Sequence, residues 1–244
     1  MNLSDLRTNI SLLEEIGVFF PIEKKILLEN SLKLLKIAQK CSTVLLIGKL
    51  ECLQNDYYLC MCHDVLEDED GDKEKPYRLF YSTNAAEWIH LQIPEEKKQK
   101  AAQSIHSRFV GDPNLRLTVQ NNSDIIRSEM DESKEFGAEE LNQISPTESI
   151  SEEERLASFT DSLIRTTWMR VTNQDVKSPM YNSKLFGKEW AIKENSDLTK
   201  FDENYEIWMN LLWVGQYFLV KERKFSNFYW GRGEKVLDLP FMID

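Results

Sequence analysis

Glycine and proline are scarce: 9 and 7 in 244 residues, too few for a collagen-like or low-complexity chain. Long apolar runs are missing too. None approaches the ~18 residues that would span a bilayer. The opening stretch, MNLSDLRTNISLLEE, lacks the basic region and apolar core of a signal peptide. The expectation is a protein neither secreted nor membrane-embedded. Cysteines are few, at 41, 52, 60 and 62, which suggests thiols in a reducing compartment rather than a disulfide framework. Basic charge is in deficit, with 30 Lys+Arg against 41 Asp+Glu. A protein that grips phosphate backbones needs the opposite balance, so nucleic acid is not an expected partner. There is no Gly-Lys-Ser/Thr phosphate loop and no Gly-x-Ser-x-Gly elbow.

What is present is a nearly neutral body carrying two acidic stretches. Asp64 to Lys75 holds seven acids and two bases, and Asn121 to Arg155 eleven acids and three bases. With 41% hydrophobic residues the remainder can bury a sizeable core. We expect residues 1–244 to form a single domain, with 121–154 as an acidic flexible linker or insertion within it.

Leu6, Ile10, Leu13 and Ile16 recur at helical spacing before Gly17 and Pro21 intervene. The next helix carries two stripes, Ile22/Ile26/Leu27/Leu34/Ile37 and Leu28/Leu32/Leu35, which predicts a helix covered on both sides. From Ser42 the period shortens. Thr43 to Leu50 and Tyr57 to Leu66 read as a hairpin, Tyr77 to Tyr81 as a third strand, Pro94 to about Ser107 as a helix and Leu115 to Val119 as a strand. Order should resume near Arg155, with Leu156, Phe159, Leu163 and Ile164 on one helix face. Ten of the 26 aromatics fall in the last forty residues, where Tyr205 to Leu212, Gln216 to Lys221 and Ser226 to Trp230 predict an antiparallel meander. The fold class is α+β: antiparallel sheet or sheets with N-terminal and central helices packed on them, ending in an aromatic-rich β-meander.

No catalytic, cofactor-binding or metal-binding residue is marked. Cys60-Met-Cys-His63 has ligand chemistry, but in a strand the two cysteines share one face and His63 points to the other, so core thiols are the better reading. Asp68-Glu-Asp-Gly-Asp72 fails the calcium-loop register, because Leu66 and Tyr77 would occupy positions one and twelve. Gly231-Arg-Gly233 lacks the third glycine of a dinucleotide fingerprint and reads as a strand-end turn, and Gly111-Asp-Pro113 as a turn whose Asp112 bonds nearby amides. The carboxylate runs Glu139-Glu140 and Glu152-Glu153-Glu154 are expected to be exposed, solubilising charge. The aromatic C-terminal stretch has mixed charge, which favours core and partner interface over base stacking. Trp208, Trp213, Tyr217, Tyr229 and Trp230 are the interface candidates, with strand alternation sending some of them to the core.

Four stretches carry a further signal: Leu79-Phe-Tyr-Ser-Thr-Asn-Ala-Ala-Glu-Trp88, Arg108-Phe-Val-Gly-Asp-Pro113, Leu211-Leu-Trp-Val-Gly-Gln-Tyr-Phe218 and Tyr229-Trp-Gly-Arg-Gly-Glu-Lys-Val-Leu-Asp-Leu-Pro-Phe-Met242. In this order they resemble the radial spoke head protein 9 family, with Trp213-Val214-Gly215 where that family typically has Trp-Pro-Gly. The resemblance implies a non-catalytic subunit of the spoke head in motile cilia and flagella, relaying central-pair signals to dynein. It implies no cofactor and no catalytic residues. Its implied partners are radial spoke head proteins of the 4/6 type, other head subunits and central-pair projections. Its implied location is the axoneme, with a cytoplasmic pool before assembly. An adaptor or scaffold in another cytoplasmic complex is the alternative.

Overall fold

Thr43–Leu50 (β1) and Tyr57–His63 (β2) pair antiparallel, and Tyr57 to Cys62 are all buried. A strand buried on every residue must be covered on both faces, and two half-cores cover this one. Tyr58, Cys60 and Cys62 pack against the N-terminal helices, whereas Tyr57, Leu59 and Met61 face Leu156, Phe159, Leu163 and Ile164 of a later helix. The computed structural model describes residues 1–63, 77–119, 148–167, 183–185, 188–190, 196–201, 205–221 and 224–236.

The further strands are β3 (Tyr77–Ser82), β4 (Ile89–Leu91), β5 (Arg116–Val119), β6 (Glu148–Ser151), β7 (Ser183–Leu185), β8 (Lys188–Trp190), β9 (Ser196–Phe201), β10 (Tyr205–Asn210), β11 (Gln216–Lys221) and β12 (Lys224–Gly231). Eight of them form one sheet in the order β4-β3-β2-β1-β12-β11-β10-β9, and β5/β6 and β7/β8 form separate two-stranded ribbons. All of its pairings are antiparallel except β1 with β12. That parallel seam sets Gly48 opposite Tyr229 and Leu50 opposite Gly231, joining the N-terminal hairpin to the predicted meander. A Cβ on Gly48 would run into the Tyr229 carbonyl, so the seam requires glycine there. A bulge between Leu46 and Gly48 shifts the strand's phase. Val44 and Leu46 serve one half-core, Ile47 and Leu50 the other.

Four α-helices are described: α1 (Leu6–Glu14), α2 (Ile22–Ala38), α3 (Glu96–Ser104) and α4 (Glu152–Thr167). The first two cover one face of the sheet, with Phe20, between them, against Phe228 and Trp230. α4 covers the other face and α3 packs on α4. The α+β class and the C-terminal meander are as the sequence predicts.

Two expectations are corrected. In α2 only Leu28, Leu32 and Leu35 are buried; Ile22, Leu34 and Ile37 are 71%, 68% and 74% exposed, and Ile26 and Leu27 also face outward. The sheet offers one surface to α2, and the described residues place nothing on its other side. Second, β6 and α4 begin at Glu148 and Glu152, before the expected restart at Arg155. Glu152 is fully buried rather than solubilising charge. Residues 120–147, the larger part of the expected insertion, lie outside the described residues, as do Asp68 to Asp72 and Glu139-Glu140.

Candidate functional site

The start of α4 shows how the sheet's second face is built. Ser151 and Glu154 form a reciprocal capping box: Ser151 Oγ accepts from the Glu154 amide at 3.2 Å, and Glu154 Oε2 accepts from the Ser151 amide at 3.0 Å. Glu154 also pairs with Lys98 of α3 at 2.7 Å. Glu152 turns inward instead. Its carboxylate accepts from the amides of Val110, Gly111 (3.0 Å) and Asp112 (2.8 Å) and from the Tyr57 hydroxyl (2.8 Å). Four donors compensate a charge removed from water. Burial, and after it the same carboxylate, pushes the Tyr57 phenol far up. The loop 108–113 is thereby clamped between β2 and α4. At its centre Gly111 has φ +95°, and a Cβ there would strike the backbone of Asn55. Asp112 accepts from the Asn114 amide at 3.0 Å, as the turn reading predicts.

Phe109, from this loop, enters an aromatic group centred on Phe159 of α4. Ring centroids lie 5.9 Å from Phe159 to Phe109, 5.4 Å to Trp213 and 5.5 Å to Tyr229, all edge-on. The buried Arg155 guanidinium stacks on Phe109 at 3.9 Å and donates to the Ser107 carbonyl, and desolvation lowers its pKa. Beside them is a cavity of about 760 Å³, walled by Phe109, Phe159, Trp213, Arg155, His106 and Lys235. The Tyr229 hydroxyl accepts from the Gly233 amide at 2.7 Å. Gly215, at φ +95°, brings its carbonyl to the Trp230 amide at 2.6 Å, and Val236 donates to the Leu212 carbonyl at 2.8 Å. Three of the four recognisable stretches, 108–113, 211–218 and 229–236, therefore interlock at one end of the sheet. The fourth works elsewhere: the Trp88 indole donates to Ser31 of α2 at 3.1 Å, and Asn84 Oδ1 accepts from the amides of Ala86 and Glu87.

The chain is similar over its whole length to radial spoke head protein 9. A mouse (Mus musculus) radial spoke head protein 9 homolog is 23% identical and a human (Homo sapiens) one 22% identical, each alignment covering 100% of both chains. A zebrafish (Danio rerio) radial spoke head protein 9 homolog is 29% identical across 46% of this chain and 39% of its own. No family model matches the chain.

The five aromatic candidates do not converge on one surface. Tyr229 is fully buried and Trp213 nearly so, both on the α4 side. Burial raises the Tyr229 phenol. Tyr217 and Trp230 are half-buried on the α1/α2 side, where Trp230 sits edge-on to Phe20 at 4.6 Å. The Trp230 indole donates to Glu51 at 2.8 Å, and the Lys49 ammonium lies 4.5 Å above its ring. Trp208, half-buried on β10, donates to Glu206 at 3.1 Å. Sequence reasoning missed Phe109, Arg155 and Glu152 as members of the aromatic end. A signal for the helix start was available, since Ser151-x-x-Glu154 is a capping-box pattern that begins the helix at Glu152, but it does not mark the burial of Glu152.

The four cysteines are reduced and buried. Desolvation raises Cys41 to about 11 and Cys52 to about 12, and Cys60 also titrates well above the ordinary thiol range. No cluster of metal-binding side chains occurs among the described residues, and none of the described helices is long and apolar enough to cross a membrane.

Proposed function

We propose that this chain is a non-catalytic structural subunit of a radial spoke head, working in the axoneme of motile cilia or flagella. In this reading it is required for head assembly and for relaying central-pair mechanical signals to dynein. The observation that carries it is the end-to-end similarity to mouse and human radial spoke head protein 9 homologs. The architecture supports it: a load-transmitting part benefits from a covered sheet whose first and last long strands are hydrogen-bonded neighbours, as β1 and β12 are. We read residues 1–244 as one domain on the same ground. The proposed partners are radial spoke head proteins of the 4/6 type and other head subunits. Central-pair projections are a further proposed contact, and a cytoplasmic pool would precede assembly. The proposed contact residues are the half-buried Trp208, Tyr217 and Trp230, with Trp213 and Tyr229 holding the sheet behind them.

The test is affinity purification of the tagged protein from solubilised axonemes, followed by mass spectrometry after a salt wash. Near one-to-one recovery of spoke head proteins of the 4/6 type is the expected result. A clean preparation without any spoke component would leave the adaptor reading in its place. In the same assay Trp230→Ala should fold, keep its far-UV spectrum and lose at least tenfold in partner recovery, in line with ~2 kcal/mol for an aromatic hot spot.

A further inference from the structure

The outward face of α2 has no described neighbour. Ile22, Ile26, Leu27, Leu34 and Ile37 are exposed, and at 100° per residue they fall within a sector of about 140°. Phe19, just before the helix, is exposed as well. Isolated exposed apolar residues are ordinary, but five on one helix face, with exposed Glu23, Asn30 and Lys33 among them in the same sector, make up a mixed strip of the kind that marks a contact surface.

We propose that this strip is a self-association surface, on which α2 of a second copy packs antiparallel about a two-fold axis beside Asn30. Two features favour another copy of this chain over an unrelated partner. The first is the order of apolar residues. Asn30 is exposed, lies within the sector and stands midway between Ile22 and Ala38, the helix ends. Reversal about it sets Ile22 against Ile37 of the second copy, and Ile26 and Leu27 against its Leu34. Asn30 then meets its own counterpart, where a side-chain amide can both donate and accept. A polar residue at the middle of an apolar seam is a known means of fixing register. The second feature is charge. Along one border of the strip Glu29 pairs with Lys33 at 2.5 Å and also with Arg7. A two-fold operation brings each Glu29 towards the opposite Lys33, so the border is complementary to itself. Further along, Lys36 approaches the Lys25–Glu14 pair, whose 2.5 Å contact supplies an acid beside the base. A border of mixed sign offers no such match to a strongly acidic or strongly basic helix.

The inference does not depend on the spoke-head reading, since self-association is measured with the purified chain alone. Sedimentation equilibrium over a roughly hundredfold range into the high micromolar should show mass rising from one chain to two. Ile26→Glu combined with Leu34→Glu should weaken association at least tenfold and leave the thermal melt unchanged at low concentration, where the chain is monomeric, because both side chains are exposed. Asn30→Cys should form a disulfide with its own copy under mild oxidation. The native thiols, all buried, should stay silent, and Glu87→Cys, exposed elsewhere, should give no dimer. A chain that stays monomeric throughout overturns the proposal, whether a partner helix or another segment of the chain covers the strip. So does a dimer indifferent to the double substitution, which would use another face.

Discussion

At the scale of single residues, three adjacent glutamates of like sequence have unlike fates. Glu154 closes a capping box, Glu153 is partly buried with its carboxyl raised by desolvation, and Glu152 is sealed inside with four hydrogen-bond donors. Removing Glu152 strands three backbone amides and the Tyr57 hydroxyl. Glu152→Ala is therefore expected to cost roughly 3–5 kcal/mol in urea unfolding, whereas Glu87→Ala on the surface should stay within about 0.5 kcal/mol. Glu152→Gln should fall between, because one acceptor oxygen survives. The thiols follow the same logic of burial. With Cys41 near 11 and Cys52 near 12, almost no thiolate exists at pH 7, and a disulfide-exchange probe should count no cysteines in the native protein and all four after denaturation. One rapidly reacting thiol in the folded state would contradict this assignment of the thiols. The core thiols were legible in the sequence, at least at Cys60 and Cys62, whereas the burial of Glu152 was not. Glu152 and Glu154 are the same amino acid two positions apart, and only the register of α4 against the loop 108–113 separates them.

At the scale of elements, seven of the described strands and the buried faces of α1 and α4 were read from the sequence, whereas β4, β6 to β9 and the outer stripe of α2 were not. The unbroken apolar run of Tyr57 to Cys62 marks a strand covered on both faces, and β2 is that. The two stripes of α2 are equally apolar, so hydrophobic periodicity cannot say which one meets the sheet. Turns give a sharper test of what an element demands. Gly17 and Gly215 have nearly the same φ, +93° and +95°, but a Cβ on Gly17 meets open space and one on Gly215 meets the Trp230 carbonyl. Gly17→Ala should cost about 1–2 kcal/mol from backbone strain alone. Gly215→Ala should cost clearly more, because the β11–β12 approach must also open; equal melting temperatures for the two variants would refute the comparison. The polar row across β10, β11 and β12 is similarly dependent on pairing. Asn210 donates to Gln216 at 3.1 Å and Gln216 to Asn227 at 3.2 Å, all three buried. Three amides spread along 18 residues carry no mark of this in the sequence, since only the strand register brings them into line.

At the scale of the whole molecule, the decisive contact is the parallel seam between β1 and β12. It joins residues 48–50 to 229–231 and places Phe228 in one half-core and Tyr229 in the other. Both half-cores are thus completed by the same late strand. A chain ending at residue 204 should lose cooperative unfolding and bind a hydrophobic dye; a sharp native-like melt of that fragment would show that the N-terminal hairpin and helices stand alone. In the intact protein, fluorescence and far-UV transitions in urea should coincide. Composition and local period sufficed for the class of the fold, the strands β1 to β3 and β5, and the C-terminal meander, because side-chain chemistry and spacing act over a few residues. The tertiary structure alone decided which stripe of α2 is covered, which glutamate is buried, and that the aromatic candidates divide between two faces. The division of the aromatics rests on pairing strands some 180 residues apart and the burial of Glu152 on packing α4 against a loop some 40 residues away, and no local pattern specifies partners at such distances.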